Sequence, residues 1–378
     1  VAVAILAVLP SLMEGYAVLW GARRGFTGKA LRDGLDFWAG GFLALHRQAD
    51  SVFSPTRYGQ FVAAAFGPHL PPHMWSYPPS YLLLATGFDW MPPWPAILSF
   101  DAASLVLLVV LLRLAGQPWL LIVAVSTSPV ALENLLEGQN AALMTALIGG
   151  GVLLLRTRPR LGGMLIGLAT LKPQLGLPLP LFLLRSGIGF AYAALTAALL
   201  GLASLLAFGR GAWAAFWHVT RPAMSNVLLT GQPAEFAGGL ISVFAAFRPL
   251  GFCLALAMQA AASAACIVLA ARRPNPPAVL ILCALASPYL HDYDLLGVAL
   301  AVALLLRDRL ESGFAPGEAL LFFLAWVGPG ALPWLPRFAH LTPAVLLLLL
   351  ATAMRRDRLI ACDSRKARKF LPASSVGP

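Results

Sequence analysis

Charge is what this sequence has least of. Of its 378 residues only 11% are Asp, Glu, Lys or Arg, against 59% hydrophobic, and the mean hydropathy is +0.78. A chain so short of charge cannot keep a folded surface in water, which excludes the soluble globular class. Its apolar stretches reach about 20 residues, the length of a bilayer-crossing helix, and they lack the ten-residue alternation of a barrel strand. The expected class is therefore an all-α polytopic membrane protein, each span closing its own backbone hydrogen bonds.

Cysteine is scarce as well. Cys253, Cys266, Cys283 and Cys362 lie in apolar runs or in the basic tail and form no CxxC pair, so neither a disulfide framework nor a structural zinc site is indicated. Also missing are a GxGxxG after a strand, a Walker loop and a GxSxG, which leaves nucleotide-sugar chemistry on a soluble Rossmann-like domain without support. With no internal repeat, low-complexity tract or separate soluble stretch, residues 1–378 read as one domain. The first segment has neither a charged n-region nor a cleavage site and reads as a retained helix.

The charge that is present is mostly basic. The formal net charge of +11 sits in short loops and in the tail, not in a domain that could hold nucleic acid. From Arg355 to Pro378 seven cations face two anions, which directs that end to the cytoplasm. Candidate spans lie near 2–22, 77–90, 96–114, 118–134, 139–155, 161–183, 187–208, 249–271, 277–290, 293–307, 317–335 and 337–354. That is about twelve transmembrane helices, and an even count puts both ends in the cytoplasm.

Two long loops then face outward. The first, 23–76, contains LDFWAGGFLALH, patterned as a short helix on the membrane surface. The second, 209–248, carries Trp213, Phe216 and Trp217 and is expected to do the same. Arg156, Arg158 and Arg160 also fall outside on this count, against the positive-inside rule; a re-entrant segment near 77–95 would remove that conflict.

An ionisable group beside apolar helices costs roughly 2.5 to 3.5 kcal/mol on insertion scales, so such groups are functional candidates. Asp36, shortly after the first span, suits a general base that deprotonates an acceptor hydroxyl, or alternatively a cap of the surface helix. Asp33, between Arg32 and Gly34, reads as part of a solvated turn and ranks below it. Tyr77 opens the YPPSYLLL segment, either in a site or as an aromatic-belt residue with Pro in the first turn. Gln139 and Asn140 open a span, and both sugar binding and capping account for them. Lys172, followed by Pro173 inside an apolar stretch, needs an anion or a cavity unless it snorkels to the surface. A lipid-carrier phosphate would be such an anion.

In SPYLHDYDLLG, Asp292 and Asp294 fit a polar turn, whereas His291 and Tyr293 point to function. His69 and His73 lie in PHLPPHMW, where proline forbids the helix that would align two ligands, so they form a loop and no metal site is expected.

In order along the chain, Asp36 to Leu45 with its AGGFLAL, then SYPPSYLLL, SPVALENLLEGQNAAL, GGMLIGLATLKPQLGLPLPLFLL and SPYLHDYDLL resemble the polyprenol-phosphate-mannose-dependent enzymes of glycosyltransferase family 87. This family lies within the GT-C class of integral membrane enzymes. The resemblance spans residues 33–300. It implies a GT-C-like bundle, a base in the first outer loop at Asp36, and Lys172 and His291 near the carrier phosphate. It further implies a bacterial inner-membrane enzyme that needs no cofactor, takes a lipid-linked sugar as donor, and passes it to a lipid or glycan acceptor at the periplasmic face. Phe37-Trp38 replace the aromatic doublet expected after that Asp. The competing class is a transporter or flippase for a lipid-linked glycan, which would carry broken helices in corresponding halves.

Overall fold

Thirty prolines would disrupt helix interiors, yet 81% of the described residues are helical, because many prolines stand where a helix begins. Pro55, Pro79, Pro93, Pro129, Pro159 and Pro276 each occupy a first helical position, where the missing N–H has no intrahelical partner to lose and φ is already set. The computed structural model describes residues 32–67, 74–230, 240–272, 274–332 and 335–369, with no β-strand among them. The helices that position the site are α1 (Arg32–Leu45), α2 (Pro55–Phe66), α3 (Pro79–Ala85), α4 (Pro93–Leu114), α5 (Trp119–Ser126) and α6 (Pro129–Glu137). They continue with α7 (Ala141–Leu154), α8 (Pro159–Leu168), α9 (Gly187–Ala215), α10 (Phe252–Ala270), α11 (Pro276–Ala286), α12 (Leu296–Ser312), α13 (Glu318–Ala331) and α14 (Thr342–Lys369).

The hairpin of α11 and α12 forms the centre. Every residue from Pro277 to Ala286 is buried, as are Val298 to Leu305, so apolarity all round the helix here reports protein neighbours and not lipid alone. By contrast α9 exposes Leu195, Leu199, Leu202 and Leu206, a stripe at helical spacing that faces the outside of the bundle. Its other side meets α8 through Gly163 and Gly167: a Cβ on Gly163 would run into the Gly189 carbonyl, and one on Gly167 would come within 2.5 Å of the Ala193 carbonyl. Small residues four apart let the two backbones approach.

Among the described residues four helices are long and apolar enough to cross a membrane: Pro93–Leu114, Gly187–Asn226, Phe252–Ala270 and Arg337–Arg355. The pair α5 and α6, bent by 48°, makes a fifth if counted as one span. Shorter apolar helices Ala141–Leu154, Pro276–Ala286 and Glu318–Ala331 coincide with three further expected spans. The 77–90 segment differs from expectation, since its helix has seven residues, about 10 Å at 1.5 Å per residue against a hydrocarbon core of about 30 Å.

The 161–183 stretch is likewise not one helix: after α8 come 3₁₀ turns at Ala169–Leu171 and Pro173–Gly176 and a short helix Leu179–Leu183. The second long loop begins as a continuation of α9. The helix bends at Gly209 (φ 77°, ψ 174°) and runs on through a π turn into Arg221–Thr230. The first expected span, His69 and His73, and the tail beyond Lys369 lie outside the described residues.

Candidate active site

Helix α1 is buried along most of its length, which the surface-helix expectation does not capture. Its glycines are the reason. A Cβ at Gly34 would come within 2.6 Å of Ile97, at Gly40 it would enter the Trp75 ring, and at Gly41 it would enter the Asp89 carboxylate and the Ala85 backbone. The aromatic side of α1 completes the seat. Phe37 stacks on Tyr81 at 5.2 Å and meets Tyr77 edge-on at 5.4 Å.

The helix already runs from Arg32, so Asp36 lies inside it and is not its cap. The Asp36 carboxylate instead accepts a hydrogen bond from the Tyr58 hydroxyl at 3.1 Å. Asp33, one turn earlier, turns to a different partner: the Gln139 amide donates to its carboxylate at 2.5 Å.

What puts Gln139 there is the end of α6. Gly138 closes that helix in the left-handed conformation (φ 67°, ψ 37°), which a side chain resists, and it lies against Gly34, where a Cβ would come within 3.0 Å of the Gly34 Cα. Asn134, still on α6, caps α7 by accepting from the Ala141 amide at 2.6 Å. Asn140 makes no side-chain cap bond. Its amide is used elsewhere, donating to the Tyr81 hydroxyl at 3.1 Å and accepting from the Lys172 ammonium at 3.3 Å.

Pro173 disfavours the helical conformation at the residue before it, and Lys172 accordingly adopts φ −133°, ψ 74°. It does not snorkel. Its side chain is 3% exposed and donates to Asp294 Oδ1 at 2.6 Å, with the Asp294 side chain fully buried. The ammonium also lies 5.1 Å from the centre of the Tyr293 ring. The second Asp294 oxygen accepts from the His291 backbone N–H at 3.2 Å, and the His291 ring stacks on Tyr293 at 5.1 Å. Desolvation pushes the His291 imidazole down to about 4, with Asp294 raising it and Lys172 lowering it further. At neutral pH it is an uncharged hydrogen-bonding group. Tyr77 closes the arrangement with its hydroxyl 3.5 Å from Gln139 Oε1.

Six of the expected residues thus converge: Tyr77, Gln139, Asn140, Lys172, His291 and Tyr293. Asp36 stands one turn away on Tyr58, and Asp33 occupies the carboxylate position in the network. The adjacent amides of Gln139 and Asn140 reach in two directions, one to that carboxylate and one to the buried cation. A small crevice is lined by Asp294 and Thr145 together with Met144, Ile148, Leu280 and Val298. Apart from Asp294 and Thr145 its lining is apolar. Among the described residues no group of three or more His, Cys, Asp or Glu is disposed to hold a metal ion.

Asp101 and Asp89 are buried acids that the reading of the sequence did not single out. Asp101, within spanning helix α4, has neither carboxylate oxygen hydrogen-bonded among the described residues; its signal was an ionisable residue inside an apolar helix. Asp89 is 9% exposed, also without hydrogen-bond partners among them, and burial pushes its carboxyl up to about 8. The folded form keeps a proton that the unfolded form, titrating near 3.8, has lost. Stability is therefore full below about pH 4 and falls as pH rises, with the loss complete above about pH 8. Asp89→Asn should flatten this slope, so its melting temperature should gain on that of the wild type between pH 5 and pH 8.5. A difference in Tm that stays constant over this range would refute the assignment.

Neither a curated protein nor a solved structure matches this chain. The model of glycosyltransferase family 87 does, over residues 75–290, a stretch that includes Tyr77, Gln139, Asn140 and Lys172 and ends beside His291. As the match covers more than half of an apolar, helical chain, the protein belongs to glycosyltransferase family 87 and is a membrane glycosyltransferase.

Proposed function

We propose that the protein transfers a hexose from a polyprenyl-phosphate carrier to a hydroxyl of a lipid or glycan acceptor at the periplasmic face of a bacterial inner membrane. The observation that carries this reading is the Gln139-Asn140 pair, which joins a half-buried carboxylate, Asp33, to a dry cation, Lys172. An inverting transfer needs these two groups: a base for the acceptor hydroxyl and a positive charge for the departing phosphate. Asp33, not Asp36, is the base in this scheme, because it shares the network with Lys172 while Asp36 is engaged with Tyr58.

As the acceptor oxygen bonds to the anomeric carbon, the acceptor proton passes to Asp33. The bond from that carbon to the phosphate oxygen breaks and its electron pair stays on the phosphate. Lys172 stabilises the charge that develops there, with the neutral His291 as a nearby hydrogen-bonding group. Family resemblance supplies mannose as the sugar. In this reading the basic tail from Arg355 onward lies on the cytoplasmic side.

Membranes containing the chain, supplied with polyprenyl-phosphate mannose labelled in the sugar, should pass label to a membrane acceptor. Movement of intact lipid-linked sugar across the bilayer, with no new glycosidic product, would favour the transporter class instead.

A further inference from the structure

The cation of the site already has an anion. Lys172 donates to Asp294 at 2.6 Å and to Asn140 at 3.3 Å, so two of its three N–H groups are committed before any phosphate arrives. Asp294 is itself held by the His291 backbone N–H, and it lines a small crevice whose other walls are mostly apolar. Given the reading above, we propose that Asp294 is a resident counter-ion which yields Lys172 to the carrier phosphate and reclaims it on product release.

Charge explains why such a device is needed. An ammonium in a dry helical bundle is costly without a partner, so the empty site requires an anion. The phosphodiester of the donor brings one negative charge, while the monoester product approaches two near neutral pH. Without a competing carboxylate the product would be held more tightly than the substrate, and turnover would stall. Asp294 sets a limit on that affinity by staying next to the ammonium. It is a positioning residue, acting through Lys172, and it takes part in no bond that forms or breaks.

The experiment is binding of farnesyl phosphate, a short isoprenoid monoester, to the purified full-length chain, read by ³¹P NMR together with steady-state turnover. Asp294→Asn should bind it at least tenfold more tightly than the wild type, and should lower both KM for the donor and kcat. Asp294→Glu, which keeps the charge, should return the affinity to within about threefold of wild type, a rescue that mere packing would not produce. The double variant Lys172→Met with Asp294→Leu should bind no farnesyl phosphate.

If Asp294→Asn fails to fold, wild-type protein labelled with ¹⁵N-lysine carries the test, because the Lys172 signal, assigned by its absence in the double variant, should shift on saturation. Unchanged or weaker binding by a folded Asp294→Asn, or an unmoved Lys172 signal in a saturated wild type, overturns the counter-ion role alone. No binding by the wild type overturns both this role and the carrier-phosphate reading.

Discussion

Asp33→Asn is expected to lower sugar transfer by about 10²- to 10⁴-fold, the usual range for loss of a general acid or base, while leaving the protein folded. Asn keeps the size of the side chain and can still hydrogen-bond Gln139, so the network that seats α1 survives, but it cannot take the acceptor proton. Asp36→Asn is the comparison that decides the assignment. Its carboxylate accepts from Tyr58, a hydrogen bond that Asn can still accept, so a small drop in stability, about 1 kcal/mol, and less than a tenfold change in rate are expected. Initial rates with saturating donor, normalised to inserted protein, measure both. Equal rates for Asp33→Asn and wild type would remove Asp33 from the chemistry, and a collapse confined to Asp36→Asn would return the role to that residue.

Lys172→Met should have the largest effect on stability. It leaves the Asp294 carboxylate buried and facing only the His291 N–H, and breaking a buried ion pair from one side typically costs about 3–5 kcal/mol. The protein is expected to unfold at markedly lower temperature in detergent and to transfer no sugar. Adding Asp294→Leu removes the orphaned charge. Replacing both members of a buried pair by apolar groups is often neutral or stabilising, so the double variant should regain most of the lost Tm and still be inactive. Separate recovery of stability and activity distinguishes a cation that acts on substrate from one that merely holds the fold. A fully active double variant would exclude Lys172 from phosphate stabilisation, and a single variant as stable as wild type would show that the pair is not dry.

The two acids on α1 show where reading the sequence stops. Both stand near the start of a helix with aromatic and glycine neighbours, and three positions of helix separate them. Local pattern ranked Asp36 first because Asp33 looked like part of a turn. Contacts of Gly34 with Ile97 and with Gly138 bring Gln139 to the Asp33 carboxylate while that of Asp36 accepts from Tyr58, which is the ground for proposing Asp33 as the base. Asp294 was missed for a related reason. Beside Asp292 in a short linker it has the composition of a polar turn, and Asp292 does serve that purpose, accepting from the Tyr293 N–H. What separates them is the Lys172 ammonium, which the packing brings to Asp294.

By itself the sequence determined the helical membrane class, since a chain with so few charges, and with apolar runs of about 20 residues in place of barrel alternation, satisfies its backbone polar groups in lipid as helices. It also marked the break at the Lys172-Pro173 step, because proline acts on its own φ, on its own missing N–H and on the residue before it, whereas the helix start at Pro129, inside the expected 118–134 span, came only from the structure. Those effects are local. The bonds that make the site are not: Asp33 and Gln139 are 106 residues apart, and Lys172 and Asp294 are 122 apart. Such pairings depend on which helix faces meet, and that was decided only by the tertiary packing, in which glycines admit close approach and each buried charge must find an opposite one.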